Sequence, residues 1–141
     1  MHAHESSSSD RQFAGAFEAG EIATDDFDHR AHVRLAYVYL CDGTPDQAHE
    51  RMKESLLGFL RRLGADESKY HETMTRAWIL AVRHFMESCS FGCRSADEFI
   101  ERNPKLLDSG IMLSHYSCEV LFSSAARAAF VVPDVEPIPE H

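Results

Sequence analysis

No stretch of this sequence is apolar for anything near the roughly 20 residues that a membrane-spanning helix requires. The apolar run from Ala77 to Val82 has the length of a buried helical segment. The opening MHAHESSSSD lacks the apolar centre of a secretory signal and reads as a disordered leader over residues 1–12. Basic charge is also scarce: 14 Lys and Arg stand against 23 Asp and Glu, for a net charge of −9, and no basic stripe occurs. Nucleic acid and anionic membranes both demand a basic face, so neither is an expected partner. The four cysteines, Cys41, Cys89, Cys93 and Cys118, have no disulfide-framework spacing, which points to reduced thiols in a cytoplasmic protein.

Sequence signatures of chemistry are missing too. With only seven glycines there is no Gly-rich phosphate loop, and neither a GxSxG elbow nor a Walker motif occurs. HETMT at 71–75 is not the HExxH zinc motif, because Thr75 stands where the second histidine belongs. No ExxH pair of the di-iron bundle kind is present. Period-two alternation is nearly absent, which excludes a sheet protein.

What the sequence does have is helical periodicity, in a chain that is 44% hydrophobic and 26% charged. At 141 residues it suits one domain. A first short helix is expected around Phe13, Phe17 and Ile22. A second opens near Thr24, with Asp25, Asp26 and Asp28 on its positive N-terminal end, and stops at Asp42-Gly43. The third has Thr44 as N-cap, Pro45 at its first position and Gln47 completing a capping box. Its apolar stripe is Ala48, Met52, Leu56, Phe59, Leu60 and Leu63, ended by Gly64. A fourth, apolar nearly all round, starts between Asp66 and Tyr70 and is the expected centre of the bundle. Ser95 and Glu98 cap a short helix that Asn103-Pro104 interrupts, and a last helical stretch covers roughly 117–130 with a break near Ser123-Ser124. The prediction is an all-α, single-domain antiparallel bundle of four main helices plus short ones over 13–132, with an extended Pro-rich tail over 133–141.

Nine histidines are many for this length. His2, His4 and His141 fall in the chain ends, and His49 falls in the opening turn of the third helix, on its polar side. His29 and His32 are three apart and therefore neighbours on one helix face, which continues inward through Ala36. His71 opens a second inward face through Met74, Trp78, Val82 and Phe85. Facing helices would bring three imidazoles together, with His115 as a fourth from the loop before the last helix. Three histidines and an open position form a catalytic metal arrangement, and imidazole suits zinc, iron or copper alike. Glu72 is the candidate general base or further ligand, with Asp28 beside His29 as a second carboxylate. Tyr70 and Tyr116 are candidate proton donors, and Arg34 and Arg76 are candidate anchors for an anionic ligand. Two other readings stay open. In one, the same residues line a metal-free pocket for a small molecule. In the other, the histidines are structural, bonded to backbone or carboxylates, and the protein is a homodimer built on an apolar helix face. Cys89 and Cys93, spaced as CSFGC, are either a metal or redox pair or plain small residues of a loop.

At FDHRAHVRLAYVYL, YHETMTRAW and LSHYSCEVLFSSAAR followed by VVPD, the chain resembles a group of small, uncharacterised bacterial all-helical proteins. That group shares a His-x-x-His pair near the start of a helix, a Tyr-His-Glu-Thr segment, and a Tyr-Ser segment before a final Ala-Arg and Pro-Asp. The resemblance spans Phe27 to Asp134 and implies a pocket shared around His29, His32, Tyr70, His71, Glu72, Thr73, Tyr116, Ser117 and Arg127. It implies no particular reaction. Cys118 departs from the pattern, standing where a basic residue is expected. In fold the chain is also similar to DinB-type bundles, which bind a metal through three histidines, though with different spacing and helix order.

Overall fold

The computed structural model describes residues 4–89 and 92–139, and every regular element among them is helical, with no strand. The longest are α1 (Ser8–Glu18), α2 (His29–Asp42), α3 (Pro45–Arg62) and α4 (Glu72–Ser88). The shorter α5 (Ala96–Arg102), α6 (Cys118–Leu121) and α7 (Ser124–Ala128) follow, with 3-10 turns between elements. No helix among the described residues is long and apolar enough to cross a membrane.

Local chemistry explains most of the boundaries. Thr44 and Gln47 exchange side-chain and backbone hydrogen bonds as a capping box at α3, with Pro45 at its first position. A cap of this kind stabilises a helix by about 1 kcal/mol. Ser95 caps α5, and Ser117 and Ser123 cap α6 and α7, so the last helical stretch breaks at Ser123 as its sequence suggests. Two starts lie later than expected. Asp25 and Asp26 belong to a 3-10 turn, and α2 begins at His29 behind Asp28, whose carboxylate accepts from the Ala31 amide. Asp66 caps only a 3-10 turn by accepting from Ser68, and α4 begins at Glu72 with His71 as its N-cap.

The expected disordered leader needs correcting. Ser7 and Asp10 form a second capping box, and α1 starts at Ser8, inside the segment read as unstructured. Asp10 is 2% exposed. It accepts hydrogen bonds from the amides of Ser7 (2.9 Å) and Ala96 (2.8 Å) and from Arg34 Nε (2.9 Å). One carboxylate thus ties α1 to α2 and to the start of α5. Upstream of it, the His4 ring lies edge-on to Tyr37 and Phe99, and the Glu5 amide donates to the Cys93 carbonyl.

The core is a continuous apolar cluster built mainly from α2 (Val33, Leu35 to Leu40) and α4 (Ala77 to Ile79, Ala81, Val82, Met86), closed by Phe17, Met52, Phe99, Ile100 and Leu106. α2 is buried almost all round, so it shares the central position expected for α4 alone. The tail packs onto the body. Val131 N–H donates to Thr73 Oγ1, Ile138 is buried, and the Val135 amide donates to the His115 carbonyl.

Candidate functional site

The expected histidine cluster does not assemble. His29 and His32 remain neighbours on α2, with ring centroids 6.5 Å apart, and His29 packs edge-on against Trp78 at 4.6 Å. His29 Nε2, however, donates to the Leu106 carbonyl at 2.8 Å. His71 is used at both nitrogens: Nδ1 accepts from the Met74 amide at 3.0 Å, so Nε2 carries the proton and donates to the Leu121 carbonyl at 2.7 Å. His115 Nδ1 donates to the Glu136 carbonyl at 2.8 Å and clasps the tail. Among the described residues no three His, Cys, Asp or Glu side chains are grouped to hold a metal ion. Inward-facing imidazoles met backbone carbonyls, and a ring that donates to a carbonyl at Nε2 has no lone pair there for a metal. His32 is the exception in bonding: burial, then the neighbouring His29, push it down to about 4, so its ring is neutral.

Two other candidates also lie elsewhere. Arg34 is spent on Asp10 and Ser9, with its guanidinium over the Phe13 ring, and anchors α1. Tyr116 is buried and donates to the Val131 carbonyl at 2.6 Å, and burial pushes its phenol up to about 12. Both are structural.

The structure does bring together Glu72, Tyr70 and Arg76, around a residue that sequence reasoning passed over. His49 on α3 is 6% exposed, and its Nε2 lies 3.0 Å from Glu72 Oε1 at the start of α4. Tyr70 donates to the same carboxylate oxygen at 2.6 Å, and Lys53 Nζ stands 3.9 Å from Oε2. Burial alone would raise the Glu72 carboxyl, but hydrogen bonds from Tyr70 and His49, with positive charge beside it, outweigh burial and hold it below its ordinary value. Burial, reinforced by the bond to Glu72, raises the Tyr70 phenol. With Nε2–H given to Glu72, His49 Nδ1 keeps its lone pair toward Arg76, whose Nη1 is 3.5 Å away. The signal was present in the sequence: His49 and Lys53 are one helical turn apart, as are Glu72 and Arg76. On facing antiparallel helices these two pairs register as a charge-complementary square. His49 reads as polar-side because the stripe beside it is so clear.

Beyond Arg76 the square opens into a cavity of about 210 Å3 between the start of α3 (Thr44, Pro45, Asp46), Leu80 and Arg83 on α4, and Pro139 of the tail. Arg76 bonds Asp46 at 3.3 Å, an aspartate 82% exposed, and lies 5.4 Å from the Phe130 ring centre. Arg83 is paired with Glu87 at 2.8 Å. In a protein of net charge −9, this is a local concentration of guanidinium groups beside the positive end of an 18-residue helix.

No protein family, curated protein or solved structure matches the chain.

Proposed function

We propose that this protein is a binding module for a small anionic molecule, held by Arg76 and Arg83 in the α3–α4 groove without a metal. The observation that carries the reading is the state of Arg76. A guanidinium offers five N–H donors, yet among the described residues this one makes only two hydrogen-bond contacts, both long, to Asp46 at 3.3 Å and His49 at 3.5 Å. Exposed pairs of the Arg76–Asp46 kind contribute about 0–1 kcal/mol, so an incoming carboxylate or phosphate, bound in a bidentate geometry, displaces Asp46 at little cost. His49, fixed by Glu72 and Tyr70, forms the rigid wall that aims the guanidinium.

The test is thermal unfolding in rising inorganic phosphate or succinate, with sodium chloride at matched ionic strength as reference. The melting temperature should rise with the logarithm of anion concentration once binding saturates, should do so equally with chelator present, and should lose that response in Arg76→Gln. No response in the parent protein, or an undiminished one in Arg76→Gln, would overturn the reading. Elemental analysis of protein purified without chelator separates it from the zinc, iron or copper site expected of His29, His32, His71 and His115. Stoichiometric metal that disappears on replacing those histidines would favour the metalloprotein instead.

A further inference from the structure

Arg76, Leu80 and Arg83 stand at positions i, i+4 and i+7 of α4, so they share one helix face, and all three line the groove of about 210 Å3. Seven residues of helix rise about 10 Å, which places the two arginines at opposite ends of that stripe with Leu80 between them. Their bonds draw them to different neighbours. Arg76 reaches across to α3, meeting Asp46 at 3.3 Å and His49 at 3.5 Å. Arg83 donates Nε–H to Glu87 Oε1, one turn further along α4, at 2.8 Å. Its two Nη groups make no hydrogen bond with the described residues. Between the charged heads the cavity has apolar lining from Leu80, from Pro45 at the start of α3 and from Pro139 of the tail.

We propose that the groove holds a linear dicarboxylate of five or six carbons, one carboxylate on Arg76 and the other on Arg83. The proposal rests on the small-anion reading above and adds that a single ligand engages both guanidinium groups. One phosphate serves the pair poorly. The two heads carry like charge, are anchored in different directions and have a leucine between them, so gathering them on one ion would break the contacts that hold each in place. Two anionic ends joined by a short methylene chain meet both heads where they stand. In extended adipate, five C–C bonds of about 1.5 Å put the carboxyl carbons roughly 6 Å apart, and the long arginine stems span the remainder. The methylenes then lie against Leu80 and the proline rings, out of water. Volume agrees with this class: at about 30 Å3 per water the cavity has room for roughly seven waters, enough for a small diacid and too little for a nucleotide. Neither carboxylate already present blocks the ends. Asp46 is 82% exposed and turns into solvent, and Glu87 keeps only the Nε of Arg83, leaving both Nη groups for a bidentate contact.

The experiment is titration calorimetry of the full chain at neutral pH and constant ionic strength, with sodium succinate, glutarate, adipate and hexanoate and with inorganic phosphate. Glutarate or adipate should bind tightest, about tenfold or more tighter than hexanoate, which has the carbon chain of adipate and one carboxylate fewer. Succinate, too short to reach both heads, should fall well below them. In Arg83→Gln the advantage should vanish, adipate dropping to the affinity of hexanoate while hexanoate is little changed. Hexanoate or succinate binding as tightly as adipate, or an adipate preference that survives Arg83→Gln, would overturn the two-ended assignment. Phosphate binding well above every carboxylate leaves the small-anion reading standing and overturns this one alone. No heat from any of the anions, with no thermal shift, overturns both. The parent series decides the matter even if Arg83→Gln, which loses its pair with Glu87, fails to fold.

Discussion

Replacing Asp10 by alanine isolates the contact that fastens α1 to the bundle, and its cost follows from what each partner loses. The Ala96 amide belongs to a fully buried residue at the start of α5 and would be left without its acceptor, costing about 1–3 kcal/mol. Arg34 is a quarter exposed and can turn toward water, so its share is discounted to about 1 kcal/mol. The Ser7 amide loses its half of the capping box, for about 0.5–1 kcal/mol. Together these give about 2.5–5 kcal/mol, which for a chain of this size lowers the melting temperature by roughly 10–15 °C. The effect must also depend on pH. Burial pushes the Asp10 carboxyl up, but the bonds from Ala96, Ser7 and Arg34 outweigh it, and the folded value lies below the ordinary 3.8. The stabilisation is complete above that ordinary value. As pH falls below it, the unfolded chain takes up a proton first, and the contribution fades toward the depressed folded value. Urea unfolding followed by circular dichroism should therefore show a gap between parent and variant that is constant from neutral pH down to about 5 and narrows below 4. A gap within about 0.5 kcal/mol at neutral pH, the size of an ordinary surface substitution, would refute the argument, and with it the docking of α1.

Two further outcomes check other parts of the fold. All four tyrosines have phenols raised above the ordinary 10.0, with burial the largest cause for each. Because the folded values are raised, this stability is intact below pH 10 and is lost as pH climbs beyond it. Tyrosinate absorbance should thus appear only together with loss of helical signal; a phenol titrating near 10 in folded protein would contradict the packing. His71→Ala removes both the N-cap of α4 and the tie to Leu121, for a loss of about 2 kcal/mol in thermal unfolding. Its response to phosphate should remain that of the parent, whereas an unchanged stability would remove the capping role.

The parts of the fold legible in the sequence are those fixed by neighbours along the chain. Thr44-Pro45-Asp46-Gln47 encodes the start of α3 in four residues, and Ser95 does the same for α5. α1 and α4 were misplaced for opposite reasons. SSSSD looks like low complexity because serine is also a linker residue, yet Ser7 needed only Asp10 three positions on to close a box, and Asp10 needed Arg34 and Ala96, which lie 24 and 86 residues away. At α4 the better capping residue, Asp66, is satisfied early by Ser68, and His71, an uncommon cap, takes the position because Nδ1 is free to accept.

The histidines show why a correct inward direction did not yield a correct site. Helix phase turns His29 and His71 inward, but phase says nothing about what they meet. A helix leaves up to four carbonyls without partners at its C-terminal end, and each carbonyl buried without a donor costs free energy. A bundle that follows four longer helices with short helices and 3-10 turns makes many such carbonyls. Leu106 lies in a 3-10 turn and Leu121 ends α6; each is met by a histidine Nε2–H. The same need explains His4 on Met86, Thr73 on Ala129, Tyr116 on Val131 and His115 on Glu136, where side-chain donors meet carbonyls at helix ends and along the tail. Among the described residues four histidines, His4, His29, His71 and His115, serve in this way. His49 is bonded instead to a carboxylate, between the two longest helices, where the main chain is already satisfied by its own ladders and only side chains are left to pair. That contrast, rather than the count of histidines, marks the groove beside it as the place to look for a ligand.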